Sequence, residues 1–205
     1  MITRAHSSAA SVVLRAEEES ALAPLVLAFA NDPAARWLYP NAHQFRIFFP
    51  RLVRALAGKA FALGTARRVE DFRGTALWLA PGVAIDDQAL APLVEETVPS
   101  MRRADVFAMF ENMGKHRPAE PHWYLPFIGI DPRHQGRGIG SMLLGHTLAE
   151  CDRAGTGAYL EASNPRNVPF YERHGFQLRG KIQVGDSPTL VAMVRAPRRH
   201  VPHQP

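Results

Sequence analysis

Three glycines between two apolar segments place the strongest constraint on how this sequence can fold. Gly136, Gly138 and Gly140 stand at alternate positions. Before them, HWYLPFIGI (residues 122–130) is rich in aromatic and branched residues, which favours a strand. After them, residues 141–154 form an apolar stretch that we predict to be a helix. Small residues between a strand and a helix expose N–H groups at the positive end of the helix, so this segment predicts an anion-binding loop.

The spacing of the glycines decides between several nucleotide-binding loops. The dinucleotide pattern G-x-G-x-x-G would need glycine where the sequence has Ser141 or Leu143. Residues 140–147 (GSMLLGHT) come close to a P-loop, but His146 replaces the lysine and the interior is apolar, whereas a phosphate cradle needs polar, flexible backbone. The remaining pattern is Q/R-x-x-G-x-G/A, which begins at Gln135.

A second motif lies downstream of the loop, and together the two motifs resemble a known family. The strand HWYLPFIGIDP, the QGRGIG loop and NPRNVPFYERHGF (residues 164–176) resemble the acetyl-CoA-binding core of the GNAT acetyltransferase superfamily over roughly residues 120–180. MGKHRPAEPHWYL, YLEASNPRNVPFYERHGF and ALWLAPG (residues 76–82) are similar to its puromycin N-acetyltransferase-like branch. The resemblance implies an acetyl-CoA-dependent N-acetyltransferase that modifies the primary amine of a small, antibiotic-like or aromatic molecule. The alternative is a catalytically idle CoA-binding or sensing module.

The order of predicted elements indicates an α+β fold in which a mixed sheet is flanked by helices. The resemblance implies the GNAT version of this fold, with a mostly antiparallel, twisted sheet of about seven strands that is splayed at the acetyl-CoA site. Pro126 cannot donate to a strand ladder, so we expect a bulge or a splayed edge there. We predict one domain over residues 1–196, with an acceptor-side half (11–118) and an acetyl-CoA-binding half (119–196), followed by a disordered tail (197–205).

Proline positions and apolar patterns locate the individual elements. Helices are predicted at 17–30, 33–38, 44–57 and 165–174, with Pro50 expected to end or kink the third. A longer helical segment (86–117) is expected to be split at Pro99. The predicted strands, besides 122–130, are 11–16, 60–67, 74–79, 158–163, 176–184 and 189–195.

The resemblance also implies where the chemistry takes place. Acetyl transfer needs a proton acceptor for the amine, a hydrogen-bond donor for the carbonyl oxygen and a proton donor for the leaving sulfur. Tyr171, in PFYERHGF, is the expected proton donor, and the N–H near Ile128 is the expected carbonyl donor. Asn164, just before Pro165, is also placed as a helix N-cap. The expected cofactor-binding residues are Ile128, Gly129, Ile130, Gln135, Gly136, Arg137, Gly138, Ile139, Gly140, Ser141, Asn164, Asn167 and Tyr171.

The proton acceptor and the acceptor pocket are less well defined by the sequence. Many GNAT enzymes have a glutamate on the entry strand where this sequence has Tyr124, so we predict His122 as the base because its ordinary pKa suits the role. Glu111, His116, Glu120, Glu161, a water relay and an amine of low pKa remain alternatives. An aromatic wall would suit an apolar or aromatic amine. Its expected residues are Trp37, Tyr39, Trp78, Trp123 and Tyr124, with Phe29 and Phe110 as further candidates.

Composition excludes several other classes of protein. The single cysteine (Cys151) forms no internal disulfide, and the nine histidines are scattered, so we expect no metal. We find no apolar run of membrane-spanning length, and the acidic residues 17–19 do not fit a signal peptide. The net charge of +5 is dispersed apart from arginines near the end, so nucleic acid is not an expected partner. We predict a cytoplasmic enzyme, monomeric or homodimeric, without a membrane partner.

Overall fold

A mixed sheet forms the centre of the computed structural model, which describes residues 10–198. Within these residues seven strands follow the order β1-β2-β3-β4-β5-β7-β6. Only β4 and β5 are parallel neighbours, which confirms the predicted mostly antiparallel sheet. The strands are β1 (Ser11–Val12), β2 (Ala66–Val69), β3 (Gly74–Leu79), β4 (His122–Ile130), β5 (Gly157–Ala162), β6 (Gln177–Ile182) and β7 (Leu190–Arg195).

Helices cover both faces of this sheet and follow the predicted order closely. The predicted split at Pro99 is present, and Asp32 and Asn41 cap α2 and α3 by accepting hydrogen bonds from the first free N–H groups. The helices are α1 (Glu18–Phe29), α2 (Pro33–Leu38), α3 (Ala42–Ala57), α4 (Lys59–Ala62), α5 (Asp87–Thr97), α6 (Ser100–His116), α7 (Ile139–Ala154) and α8 (Val168–Arg173). The predicted tail lies mostly outside the described residues.

Three local predictions are corrected by the structure. Pro50 lies inside α3 and does not end it. Proline removes one backbone hydrogen bond of the helix, but packing of the buried Phe45, Phe49 and Leu52 against the core stabilises the helix on both sides of that position. Residues 59–62 form α4 and the strand begins only at Ala66, since a short apolar run does not distinguish helix from strand. The first strand, predicted over residues 11–16, covers only Ser11–Val12.

The sheet buries a separate core on each face. On the face that we call the α1 face, Leu25, Phe49 and Met109 bring α1, α3 and α6 against the strands. On the opposite α7 face, Leu144 of α7 and Tyr171 of α8 belong to the second core. The sheet therefore separates the layer that carries the glycine loop from the helices of the N-terminal half.

The irregularity expected at Pro126 is present and opens the sheet. Leu79 of β3 pairs with Tyr124, whereas Leu77 pairs with Phe127, so β4 contains an extra residue at this point. Tyr124 and Phe127 consequently both face the α1 side. Parallel pairing of β4 with β5 stops at Tyr124 and Tyr159, next to the bulge. Beyond this point the two strands separate and leave a slot between them.

Candidate functional site

A cavity of about 790 Å³ opens at the slot between β4 and β5. Strand β4 from Tyr124 to Ile130 forms one wall, and Glu161 and Ser163 at the end of β5 form the other. Side chains from α1, α2, α3 and α6 close the cavity on the α1 face, and the glycine loop and α8 close it on the opposite side. The two halves of the chain therefore meet in one cavity.

The glycine loop presents unpaired backbone N–H groups to this cavity. The first hydrogen bond of α7 runs from the N–H of Met142 to the carbonyl of Gly138, and within residues 10–198 the N–H groups of Gly136 to Ser141 donate to no protein acceptor. Gly136 and Gly138 have φ angles of 73° and 79°, which glycine adopts readily. No atom lies within 4 Å of a Cβ built on either glycine, so the backbone is open to a ligand. Together with the start of α7, these groups have the arrangement that suits an anion.

The segment after β5 positions Tyr171 beside the loop. Asn164 accepts a hydrogen bond from the N–H of Arg166 (3.1 Å), and α8 follows directly. The Tyr171 ring packs edge-on against Phe170, with 5.2 Å between ring centroids. Burial, with a contribution from the carboxylate of Asp32, raises the pKa of Tyr171. The hydroxyl is therefore protonated at neutral pH and can donate.

Two carboxyl groups line the cavity. Asp32 is buried, and it accepts hydrogen bonds from the N–H groups of Ala34 and Ala35 and from the Ser163 hydroxyl (2.6 Å). Burial raises the pKa of Asp32, and these hydrogen bonds oppose the rise. Burial also raises the pKa of Glu161. Carboxyl groups next to apolar helices make this part of the cavity suitable for an amine.

The structure brings most of the predicted cofactor-binding residues to the cavity. Ile128, Gly129, Ile130, Gln135, Gly136, Gly138, Ile139, Gly140, Ser141, Asn164, Asn167 and Tyr171 all line it. Arg137 is exposed in the loop and does not line the cavity. Arg133 is held by an ion pair with Asp131 (2.6 Å), which lowers the pKa of Asp131 to about 2. The structure thus places nearly all of these residues around one cavity, and their role in cofactor binding stays a prediction.

Only some of the aromatic residues predicted for the acceptor pocket line the cavity. Trp37 and Tyr124 line the cavity, as do Phe29 and Phe110. Trp78 and Trp123 instead pack edge-on against each other (6.5 Å between centroids) on the α7 face. Tyr39 is buried, with its hydroxyl 3.1 Å from that of Thr97. Large aromatic side chains fill the core as readily as they line a pocket, and the sequence does not distinguish these outcomes.

His122 lies at the beginning of β4 and does not line the cavity. Its Nδ1 atom is 2.8 Å from the carbonyl oxygen of Glu120, and its ring packs edge-on against Tyr159. The strand begins on the far side of the bulge from the glycine loop, so His122 is separated from Tyr171. The geometry does not favour it as the base.

Comparison with known proteins agrees with this geometry. Residues 106–176 match the model of the Acetyltransferase (GNAT) family. An uncharacterized N-acetyltransferase of Schizosaccharomyces pombe is 28% identical over 92% of this chain and 83% of its own length. A Corynebacterium glutamicum structure described as histone acetyltransferase HPA2 and related acetyltransferase has 25% identity and a TM-score of 0.64, covering 94% of this chain and 98% of its own.

The chain is an acyltransferase with similarity to the GNAT family. Arylalkylamine N-acetyltransferase 2 from Aedes aegypti shares the fold, with a TM-score of 0.63 at 11% identity over 92% of this chain and 98% of its own. The mixed, mostly antiparallel sheet with its open slot is therefore the GNAT fold predicted from the sequence.

Several residues in the cavity of this enzyme were not predicted from the sequence. No functional role was predicted for Asp32, Arg166 or Arg173, yet all three line the cavity. The apolar wall from α3 and α6, which includes Leu52 and Met109, was also missed. Acidic residues before a proline are common helix caps, so the sequence offered no signal that Asp32 reaches the site.

Neither a membrane span nor a metal site is found in the described part of this enzyme. No helix within residues 10–198 combines the length and apolar character that crossing a bilayer requires. In the same range, no group of three or more His, Cys, Asp or Glu side chains is gathered as metal ligands. The buried Cys151 thiol has its pKa raised by burial to about 12, so it is not a reactive nucleophile at neutral pH.

Proposed function

We propose that this chain transfers the acetyl group of acetyl-CoA to the primary amine of an apolar or aromatic small molecule. The observation that supports this function is that one cavity joins an anion-binding loop, the Tyr171 hydroxyl and an apolar wall with carboxyl groups. GNAT acetyltransferases generally use acetyl-CoA, which supplies the acyl thioester. The similarity to the puromycin N-acetyltransferase-like branch adds antibiotic-like amines to the proposed acceptors.

The residues on the loop side fit acetyl-CoA. The free N–H groups of residues 136–141 suit a pyrophosphate, and Arg166 and Arg173 add positive charge at the same wall. Beyond Tyr124, the edge of β4 that faces the slot has no strand partner, so an extended pantetheine arm could pair with it as a short strand. We propose that the N–H of Ile128 donates to the thioester carbonyl.

The residues on the other side fit an amine with an apolar body. Phe29, Trp37 and Phe110 offer aromatic surface, and Asp32 and Glu161 attract a cationic head group. The arylalkylamine N-acetyltransferase from Aedes aegypti shows only a likeness of fold, but its named substrate class combines these same properties. We therefore propose arylalkylamines as the first compounds to test.

Tyr171 is the proposed proton donor in the transfer. The acceptor nitrogen attacks the acetyl carbonyl carbon, a C–N bond forms, the C–S bond breaks and its electron pair leaves on sulfur. The Tyr171 hydroxyl gives its proton to this sulfur, and the surplus proton of the new amide nitrogen restores the tyrosine. The protonated state of Tyr171 at neutral pH suits this order of events.

Replacement of Tyr171 by phenylalanine tests this assignment. General acid catalysis typically contributes about 10² to 10⁴ in rate, so Tyr171→Phe should lower kcat by that factor while the Kd for acetyl-CoA is kept. Release of free thiol gives the rate, and calorimetry gives the affinity. Tyr39→Phe, which changes a buried tyrosine outside the cavity, is the control and should retain its kcat. Unchanged turnover in Tyr171→Phe would remove Tyr171 from the mechanism.

A second experiment separates an enzyme from an idle CoA-binding module. Acetyl-CoA should bind the native chain, and Gly138→Glu should abolish that binding because it places a carboxylate against the phosphates and a side chain at a positive φ. A panel of arylalkylamines, diamines and antibiotic amines is then assayed for free thiol. Tight binding of acetyl-CoA with no turnover across the panel would favour the idle module.

A further inference from the structure

The two carboxyl groups in the cavity differ in how they are held. Asp32 accepts three hydrogen bonds, from two backbone N–H groups and from the Ser163 hydroxyl. Glu161 Oε1, by contrast, is buried and has no hydrogen-bond partner within residues 10–198. An unpaired, buried carboxylate oxygen is costly and uncommon in a purely structural role. Asp32 is thus engaged within the fold, whereas one oxygen of the Glu161 carboxyl is left for a ligand.

The position of Glu161 places it at the entrance of the slot. It lies two residues beyond Tyr159, the last β5 residue that pairs with β4. Side chains alternate along a strand, so Glu161 faces the same side as Tyr159, which belongs to the α1-face core. This is the side of the cavity with the apolar acceptor wall. The bulge at Pro126 separates the strands here and leaves the carboxyl open to the cavity.

We infer that the carboxylate of Glu161 takes a proton from the ammonium group of the acceptor and so prepares the amine for attack. This inference rests on the proposed function and identifies the proton acceptor, the residue that its chemistry still lacks. One proton moves from the nitrogen to a Glu161 oxygen, and the nitrogen keeps the electron pair that attacks the carbonyl carbon. Glu161 returns the proton to solvent after the product leaves.

The groups around Glu161 act on its pKa in opposite directions. Burial raises its pKa, while the positive charge of Arg117 and the hydroxyls of Tyr124 and Tyr159 oppose that rise. The Arg117 guanidinium lies over the Tyr124 ring, 4.2 Å from its centroid, and its Nε atom is buried with no partner within residues 10–198. Tyr124, where many GNAT enzymes have a glutamate, therefore becomes a positioning residue beside a carboxylate that comes from the next strand.

Other charged and titratable groups reach the same cavity from the remaining walls. Asp32 enters from the start of α2, His134 from the loop, and Arg166, Tyr171 and Arg173 from the segment after β5. Burial is the main cause that raises the pKa of Glu161, and Arg117, Tyr124 and Tyr159 are the neighbouring side chains that oppose it. The charge of Glu161 should therefore respond first to changes at these three residues.

The test compares Glu161→Gln with the native enzyme, using 2-phenylethylamine and its less basic β,β-difluoro analogue as acceptors. Glu161→Gln keeps the shape of the side chain but removes the base, so kcat should fall roughly 10² to 10⁴-fold with 2-phenylethylamine. The fall in kcat should be clearly smaller with the difluoro analogue, because a larger fraction of this less basic amine is already neutral and needs no proton acceptor. Glu161→Asp should recover part of the rate, and Glu95→Gln, an exposed change on α5, is the control.

A pH profile supplies a readout that a structural role would not change. Above the ordinary glutamate pKa, kcat/KM should rise with pH in the native enzyme as Glu161 loses its proton. This rising limb of the pH profile should be absent in Glu161→Gln. Arg117→Met removes the neighbouring positive charge and should move the limb to higher pH. The carboxyl infrared band that is lost in Glu161→Gln gives the titration of Glu161 without an acceptor, and this band should titrate above the ordinary glutamate value.

The outcomes distinguish this inference from the proposed function. Retained acetyl-CoA binding together with full activity of Glu161→Gln would overturn the role of Glu161 alone. A carboxyl band that titrates at the ordinary glutamate value would also overturn it. Absence of acetyl-CoA binding to the native chain would instead contradict the proposed function. Circular dichroism and the Kd for acetyl-CoA show whether Glu161→Gln is folded, and Glu161→Asp serves if it is not.

Discussion

Gly140 is the residue at which the start of α7 packs against α8. A Cβ built at this position would lie 3.0 Å from Cζ of Phe170, whose ring packs against Tyr171. The absence of a side chain at 140 therefore sets the position of the proposed proton donor as well as the approach of two helices. Gly145, farther along α7, has no atom within 4 Å of a built Cβ.

Alanine substitutions at these two glycines should affect different properties, kcat at Gly140 and stability at Gly145. Gly140→Ala should displace Phe170 and with it Tyr171, lowering kcat by at least roughly tenfold, since small displacements of catalytic groups are costly. Gly145→Ala should leave kcat unchanged and raise the free energy of unfolding by up to about 1 kcal/mol, because alanine is favoured over glycine inside a helix. Free-thiol assays and urea denaturation measure both effects. Equal kcat values for the two variants would contradict this account.

Residue patterns on the loop side were more informative than those on the acceptor side. Glycine spacing and the tyrosine motif predicted the loop and Tyr171, and both line the cavity. Glu161 was only one alternative among several, because the sequence does not show which carboxylates are left without a partner. Trp78 and Trp123 illustrate the same limit, since their contribution to the α7-face core depends on which side of each strand is buried.

At the scale of elements, helix caps and one bulge account for much of the local architecture. Asn41 begins α3 by accepting hydrogen bonds from the N–H groups of His43 (2.8 Å) and Gln44 (3.1 Å). Helix α3 in turn supplies Phe49 and Leu52 to the acceptor wall of the cavity. The cap therefore acts on stability, and it affects the site only through the position of α3.

Removal of this cap should destabilise the protein without a loss of chemistry. Asn41→Ala should lower the free energy of unfolding by about 1 kcal/mol, which is typical for a lost N-cap. Asn41→Gly should cost less, because glycine is tolerated at this position. Urea denaturation measures the change, and kcat at a temperature well below the transition should be unaffected. A large loss of kcat in the folded variant would place Asn41 in the site.

Strand β4 shows how far element-scale prediction can go. The proline inside an otherwise strand-like segment predicted the bulge, and the structure confirms it. The short helix α4 was missed because its apolar run is too short to show a helical period. Bulges at proline depend on a missing N–H and can be predicted locally, whereas short buried helices depend on the packing around them.

On the scale of the whole molecule, a buried ion pair joins the last strand to the layer that carries the loop. Arg195 of β7 donates two hydrogen bonds to the Asp152 carboxylate, at 2.7 and 2.8 Å, and a third to the His174 carbonyl. Arg195 is buried, at 4% exposure. Its guanidinium lowers the pKa of Asp152. The pair thus links α7, the end of α8 and the sheet.

This pair should contribute to the acid sensitivity of the fold. Because the folded pKa of Asp152 is lowered, its stabilisation is present above the unfolded value of about 3.9 and is lost as the pH falls through the folded value. Asp152→Asn leaves Arg195 buried without its counter-charge and should cost about 3 kcal/mol at pH 7. The variant should also lose less stability than the native chain between pH 5 and 3. Denaturation at several pH values tests both points, with Glu95→Gln as the control.

Local sequence was sufficient to predict the glycine-loop side of the cavity, and tertiary structure decided the opposite side. The glycine loop, the Asn164 cap and the Pro126 bulge depend on backbone geometry within a few residues, so the local sequence predicted them. The other side of the cavity forms only when distant segments fold over one face of the sheet. It combines the unpartnered oxygen of Glu161, the hydrogen-bonded carboxylate of Asp32 and the wall from α1, α2, α3 and α6. Burial and pairing are properties of that assembly, and they determine which carboxylate can take a proton.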